Sequence, residues 1–113
     1  MNSVELARVF KALGCRSRFS IVELLSGGRL CVGAIADKLN MSQSSVSQHL
    51  RVLRDTGIVQ DNRCGYHIHY TVNTSLLEEA GTTLSSITAE ECLSPCTEGN
   101  KVCAKNTVST LKN

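Results

Sequence analysis

The sequence lacks any long apolar segment. No stretch approaches the roughly 18 consecutive apolar residues that a membrane-spanning helix needs. The N-terminus also lacks the basic stretch and following apolar run that are typical of a signal peptide. These two absences predict a cytoplasmic protein. In that reducing compartment we expect the six cysteines to be metal ligands or redox groups, not a disulfide framework.

Aromatic residues are scarce as well. The 113 residues include no Trp, two Phe and two Tyr, so we expect a core of aliphatic side chains. A single domain of this size buries only about two-thirds of the surface that its unfolded chain exposes. Apolar helices at the two ends of the chain would gain further burial by packing across a dimer.

Positive charge is concentrated in the first part of the chain. Residues 1–73 contain nine Lys or Arg and five Asp or Glu, whereas residues 74–113 contain three and five. The first part is therefore the candidate nucleic-acid surface. An ordinary solvated basic face is the alternative interpretation.

Apolar residues recur at helical spacing in five segments. The first segment ends near Gly14, the second at Gly27–Gly28 and the fourth at Gly57. Asn40 follows the third, where a left-handed residue would end a helix, and Ser42 is the expected N-cap of the fourth. In chain order, the apolar stripes are Leu6, Val9, Phe10 and Leu13; Phe19, Val22, Leu24 and Leu25; Ile35, Ala36 and Leu39; Val46, Leu50 and Leu53; and Leu77, Ala80, Leu84 and Ile87.

The fifth helix has sequence signals at both ends. Ser75 and Glu78 have the spacing of a capping box, which predicts the start of the helix. Pro95 cannot continue a helix and disfavours helical geometry in the residue before it, so the helix should end near residues 91–93.

Residues 58–72 change to a period of two, which predicts a β-hairpin. Residues 58–62 form its first strand, and Gly65 lies in the turn. The second strand alternates a set expected to be buried, Tyr66, Ile68, Tyr70 and Val72, with the polar residues His67, His69 and Thr71. We expect His67 and His69 to form a polar outer face, although the pair could belong to a metal site if other ligands joined it.

The third and fourth helices have the size of a helix-turn-helix, and the hairpin that follows fits a wing. The side of the fourth helix opposite its apolar stripe carries donors, acceptors and one cation, which suit base edges and phosphates. The candidate DNA contacts are Ser44, Ser47, Gln48 and Arg51, the flanking Gln43 and Ser45, and Arg63, Tyr66 and His67 in the wing. The alternative is that these residues only solvate a surface helix and an exposed turn.

The segment GGRLCVGAIADKLNMSQSSVSQHLRVLRDTGIVQDNRCGYHIHYTVN resembles the winged helix-turn-helix of the ArsR/SmtB family of metalloregulatory repressors. The order of the predicted helices over residues 4–90 is the same as in that family. The resemblance implies a mainly α fold with a β-hairpin wing in residues 1–91, followed by a cysteine-containing tail in residues 92–113. It also implies a homodimer joined through the first and last helices. The two copies of the fourth helix, the recognition helix, would lie about 34 Å apart on a pseudo-palindromic operator. Such a repressor releases its DNA when a metal or metalloid binds.

Three cysteines in the tail are the candidate effector site. Cys92 and Cys96 are four residues apart, and a turn at Gly99–Asn100 could bring Cys103 back to them. A structural zinc ion needs four ligands, whereas trivalent arsenic or antimony binds three sulfurs. Three thiols without a nearby His therefore favour As(III) or Sb(III), and some members of the family sense arsenic through a tail triad of this kind.

Two other family sites are incomplete in this chain. The family's CVCDLC pattern at the third helix is reduced to Cys31, and residues 74–91 contain neither Asp nor His. We expect Cys31 and Cys15 to be packing residues and Cys64 to be exposed at the turn.

Other inputs stay open, and a thiol enzyme or a metal-handling protein is the alternative from another class. Two of the three tail thiols could form a disulfide or a persulfide bridge, or a fourth ligand could complete a zinc or cadmium site. The sequence has no CxxC motif, no catalytic base near a cysteine and no phosphate-binding loop, so we expect neither an enzyme nor an organic cofactor.

Overall fold

The computed structural model describes residues 1–89. Five helices and a small sheet make up this part of the chain. They are α1 (Ser3–Leu13), α2 (Arg16–Leu25), β1 (Leu30–Cys31), α3 (Val32–Leu39), α4 (Gln43–Thr56), β2 (Val59–Cys64), β3 (His67–Val72) and α5 (Thr74–Ala89). All five predicted helices and the hairpin are confirmed. The predicted end of the fifth helix, near residues 91–93, lies outside the described residues.

Polar caps and left-handed residues fix the ends of the central helices. Ser42 is the N-cap of α4, as predicted, and its hydroxyl accepts a hydrogen bond from the Ser45 N–H at 3.1 Å. Asn40 ends α3 at φ 58° and Gly57 ends α4 at φ 88°. An L side chain at Gly57 would be strained in that backbone conformation, so the residue sets where α4 stops.

The core is aliphatic, as the shortage of aromatic residues predicts. The predicted apolar stripe of α4, formed by Val46, Leu50 and Leu53, is at most 2% exposed. They pack in one cluster with Ile21, Ile35, Ile58 and Val59. The predicted apolar stripes of α1, α2 and α5 are only partly buried, because Phe10, Phe19, Leu84 and Ile87 lie outside this cluster and are 41–63% exposed.

The sheet has three antiparallel strands in the order β1-β3-β2. The hairpin was predicted, but β1 was not, because two residues are too few to show a period. The prediction that Tyr66 belongs to the buried set of the second strand is wrong. Tyr66 precedes β3 in the turn with Gly65 and is fully exposed, while Ile68, Tyr70 and Val72 are half-buried.

The predicted capping box of the fifth helix is also wrong. Thr74 is already the first residue of α5, and the Asn73 side chain accepts a hydrogen bond from the Leu76 N–H at 3.3 Å. Asn73 also donates from its side chain to the Gly57 carbonyl at 3.1 Å and from its backbone to the Ile58 carbonyl at 2.8 Å. Asn73 therefore takes the capping role expected of Ser75. Its bonds to Gly57 and Ile58 hold it at the start of α5.

Candidate nucleic-acid interface and thiol positions

Helix α4 presents a continuous polar face to solvent. Ser44, Ser47, Gln48 and Arg51 follow the i, i+3, i+4, i+7 spacing of one helix face, and all four are exposed. The opposite side of the helix is anchored by the buried apolar residues of the core. The same periodicity that buries one face therefore aims the candidate base-reading side chains outward.

The start of α4 is positioned by contacts with its own cap and with α3. The Ser42 hydroxyl, which caps the helix, lies 3.5 Å from the Ser44 hydroxyl, and Ser45 is half-buried beside them. The Gln43 amide nitrogen lies 3.5 Å from the point that a Cβ on Gly33 would occupy. This is van der Waals distance, so the Gln43 side chain lies close against the first turn of α3. Sequence reasoning missed this contact, since Gln43 and Gly33 are ten residues apart.

The wing projects its candidate contacts into solvent. Arg63 on β2, Tyr66 in the turn and His67 at the start of β3 are all exposed. An ion pair between Arg54 and Asp61, with 3.4 Å between Nη1 and Oδ2, joins α4 to β2. Both side chains are more than 40% exposed, so the pair contributes at most about 1 kcal/mol and serves mainly to orient the wing.

The cations of this surface are available to an anionic partner. Within residues 1–89 the ion pairs are Arg54 with Asp61 and the N-terminal amine with Glu79. Arg51 and Arg63 therefore have no carboxylate within ion-pair distance in this part of the chain. The arrangement can bind phosphate oxygens through the cations and base edges through the amides and hydroxyls.

The predicted effector cysteines, Cys92, Cys96 and Cys103, lie outside the described residues. The three described cysteines are unpaired thiols. Cys64 is exposed, as expected, whereas Cys31 is half-buried at the N-cap of α3, where its side chain makes no capping hydrogen bond.

Cys15 precedes the first turn of α2 and is half-buried. The pKa of its thiol is lowered, chiefly by the nearby backbone N–H of Arg18, although the side chain makes no capping hydrogen bond to the helix. The Ser17 N–H and the Arg18 charge lower it further, while partial burial raises it. The surroundings of Cys15 therefore favour the thiolate form of its side chain.

The outer face of the sheet brings thiols and imidazoles together. Cys31 pairs in register with His69, and Cys64 pairs with His67. The two imidazole centroids are 6.3 Å apart, and the buried Nδ1 of His69 has no hydrogen-bond partner among residues 1–89. Each histidine therefore has a cysteine opposite it in the sheet, a neighbour that the sequence pattern does not predict. Even so, the described residues contain no group of three or more His, Cys, Asp or Glu that could hold a metal ion.

Among residues 1–89, no helix is both long enough and apolar enough to cross a membrane.

Comparison with known proteins places this arrangement in a family of regulators. The family model described as "Bacterial regulatory protein, arsR family" matches residues 15–61. The chain is 39% identical to the transcriptional repressor SdpR of Bacillus subtilis (strain 168), over 64% of this chain and 80% of that protein. It is also 39% identical to the arsenical resistance operon repressor of Escherichia coli (strain K12), over 58% of this chain and 57% of that protein.

Solved structures give the same result for the fold. An ArsR-like transcriptional regulator from Rhodococcus sp. RHA1 superimposes with a TM-score of 0.72 at 30% identity, over 76% of this chain and 81% of that one. The homodimeric winged helix-turn-helix domain of Mb0332 from Mycobacterium bovis gives 0.63 at 28% identity, over 74% and 79%. With its winged helix-turn-helix and these relatives, the chain belongs to the arsR family of bacterial regulatory proteins.

Proposed function

We propose that the protein is a transcriptional repressor that binds operator DNA as a homodimer and releases it when trivalent arsenic or antimony binds Cys92, Cys96 and Cys103. The observation that carries the DNA-binding part is the polar face of α4, defined by Ser44, Ser47, Gln48 and Arg51, opposite a fully buried apolar face. A stable helix with an exposed row of short polar side chains is suited to the major groove. This function requires no enzymatic activity, and it is exerted in the cytoplasm.

Each exposed group has a defined task in this proposal. The Gln48 amide can pair with both the N6 and N7 atoms of adenine, and the Arg51 guanidinium binds guanine or phosphate. The serines and Gln43 reach base edges or the backbone at the start of the helix. Arg63, Tyr66 and His67 contact phosphates from the wing, where they add affinity and little sequence preference.

Exposed apolar side chains on the terminal helices support the dimer. Val4 and Phe10 of α1 are 70% and 41% exposed, and Leu84 and Ile87 of α5 are 44% and 63% exposed. A second copy that covered these residues would remove apolar surface from water, at about 25 cal/mol per Å². The Mycobacterium bovis domain, of similar fold, is described as homodimeric. In such a dimer the two copies of α4 read successive turns of a pseudo-palindromic site.

The chemistry of the tail supports arsenic or antimony as the effector. Soft thiolates select soft ions, and three sulfurs satisfy As(III) or Sb(III) without a fourth ligand. The cysteines follow α5, one of the two proposed dimer helices, so binding there acts on the spacing of the two recognition helices. A coupling free energy of about 1–3 kcal/mol would be enough for derepression. The name of the Escherichia coli relative agrees with this effector, whereas SdpR is equally similar, so identity alone does not select it.

A second input is favoured by one observation in the described part of the chain. The Cys15 thiolate is stabilised by the backbone N–H groups at the start of α2. A thiolate reacts with peroxide or polysulfide much faster than a thiol does, and a second cysteine would then form a disulfide or persulfide bridge with it. In this alternative, oxidation releases the DNA. Zinc or cadmium, with a fourth ligand, is the remaining candidate.

One titration separates these inputs. The full chain is bound to a fluorescent DNA fragment from upstream of its own gene, and anisotropy is followed as arsenite, antimonite, zinc, cadmium or peroxide is added. We expect release by arsenite or antimonite in the unchanged protein and none in Cys92→Ser or Cys103→Ser, both of which should still bind DNA. Cys64→Ser is the matched control. Release by arsenite in either tail variant would contradict the proposed site. Loss of peroxide-induced release only in Cys15→Ser would favour oxidation.

A further inference from the structure

A small cavity lies where α1, α2 and α4 meet. Its volume is about 260 Å³, and its lining residues are Arg8, Lys11, Ala12, Arg18, Val52 and Thr56. Three of these six residues are cations, contributed by two different helices, and none is acidic. No described residue of α5 lines the cavity, so it is separate from the apolar surface of that helix.

The positive charges around this cavity are not neutralised within residues 1–89. Neither of the two ion pairs in that part of the chain involves Arg8, Lys11 or Arg18. Glu5 and Glu79 line a neighbouring cavity that Arg8 also lines, but neither carboxylate forms an ion pair with Arg8. The Glu5 carboxylate accepts from the Asn2 N–H, and the Glu79 carboxylate binds the N-terminal amine. Three like charges facing one concave surface attract a counter-ion.

Arg18 is the best-fixed group in this cavity. Its Nε donates to the Ala12 carbonyl at 2.6 Å, which orients the guanidinium and leaves its two terminal nitrogens free to donate. Such a planar pair of donors matches the two oxygens of a carboxylate or a phosphate. The Thr56 hydroxyl already donates to the Val52 carbonyl at 2.7 Å, so in this geometry it can only accept from a ligand.

Two of the residues that line the cavity are apolar. Ala12 is buried, and Val52 is an apolar side chain left 38% exposed on the surface of α4. The volume is below the roughly 300–1,000 Å³ of pockets for drug-sized ligands, so the cavity suits a small molecule. Thr56 is twelve residues from Ser44, about 18 Å along the helix axis, which places the cavity well away from the DNA-reading end of α4.

We propose that this cavity, lined by Arg8, Lys11, Arg18 and the apolar pair Ala12 and Val52, binds a small oxyanion, either a carboxylate with an apolar body or a phosphate. The cations bind the oxygens, and the two apolar side chains contact the body of the ligand. The site does not depend on the tail cysteines or on the proposed effector.

The test is a calorimetric titration of the full chain with benzoate, with benzamide and with inorganic phosphate. Benzoate and benzamide have nearly the same shape, but only benzoate is charged. We expect benzoate to bind at least about tenfold more tightly than benzamide, and Lys11→Gln and Arg8→Gln each to weaken benzoate about five- to tenfold, a loss of one charge-assisted contact. Lys38→Gln, which removes an exposed cation of α3 outside the cavity, is the matched control and should leave the affinity unchanged.

The source of the oxyanion is read from the same titrations. Phosphate that competes with benzoate supports one shared site, and binding of phosphate alone, lost in Lys11→Gln, assigns the site to phosphate. Equal binding of benzamide, an equal loss in Lys38→Gln, or no binding of benzoate or phosphate at millimolar concentration would overturn the proposal. Because Arg8 and Lys11 are exposed, their variants should fold, which thermal unfolding checks.

Discussion

Helices α4 and α5 use apolar residues in different ways. The apolar face of α4 is at most 2% exposed, and its polar face is free, whereas α5 buries Ala80 and leaves Leu84 and Ile87 largely in solvent. The apolar side chains of α4 are buried within one chain, and its polar face is left for DNA in the proposed function. The apolar side chains of α5 are not all buried within one chain, which is typical of a helix that packs against a second subunit. In the proposed function, stability and DNA reading therefore concentrate in α4, and assembly in α5.

The largest expected effect comes from the core side of α4. Leu53→Ala should lower the free energy of unfolding by about 2–5 kcal/mol, because the lost side chain leaves a cavity in the core. Leu84→Ala in α5 should lower the free energy of unfolding by less than Leu53→Ala does. This loss should grow with protein concentration as the dimer forms. Urea unfolding of both variants at two protein concentrations checks this. Equal, concentration-independent losses would remove the distinction between the two helices.

A charge on the apolar side of α5 should act on assembly. Ile87→Glu should give a folded monomer and lower operator affinity by about 100-fold or more, since two linked recognition helices bind much more tightly than one. Thr82→Glu, on the opposite side of the same helix, is the matched control. Sedimentation and anisotropy give the two readouts. A dimer that persists in Ile87→Glu would show that the exposed face of α5 has another use.

On the polar face of α4, the expected effect is one of specificity. Gln48→Ala should cost about 1–3 kcal/mol of operator binding and relax the preference at one base position. Arg51→Ala should weaken binding to all sequences and lower the salt dependence if it contacts phosphate. Gln60→Ala, which removes another exposed glutamine on β2, is the control. Anisotropy with single-base operator variants distinguishes them, and an unchanged preference in Gln48→Ala would argue against base contact.

The smallest effect concerns how α5 begins. Asn73→Ala should lower the free energy of unfolding by about 1–2 kcal/mol, because it removes the cap and the bond to the Gly57 carbonyl. Ser75→Ala should change it by no more than about 0.5 kcal/mol. Thermal or urea unfolding measures both. The reverse order would restore the capping box that the sequence predicts at Ser75.

How far the sequence predicted the molecule differs between these regions. The start, end and buried face of α4 were all predicted, because Ser42, Gly57 and the apolar spacing act locally. The start of α5 was not, since the Asn73 side chain bonds to Gly57, sixteen residues earlier. Strand β1 was missed for the same reason: its two residues become a strand only through pairing with Tyr70 and His69.

The candidate sites show the same division. The exposed face of α4 follows directly from helical periodicity, so its members could be identified from spacing alone. The contact of Gln43 with Gly33 and the pairing of Cys31 with His69 depend on packing between separate elements. The basic cavity combines residues from positions 8 to 56, which no local pattern connects.

The Asn73 hydrogen bonds have a mechanical consequence. This one residue fastens the first turn of α5 to the last residues of the α4 segment, through Gly57 and Ile58. The short joint leaves little freedom for the two helices to tilt independently at that end. In a two-fold assembly, a change in how the α5 helices pack would therefore change the distance between the two copies of α4. That distance decides whether both copies fit successive turns of DNA.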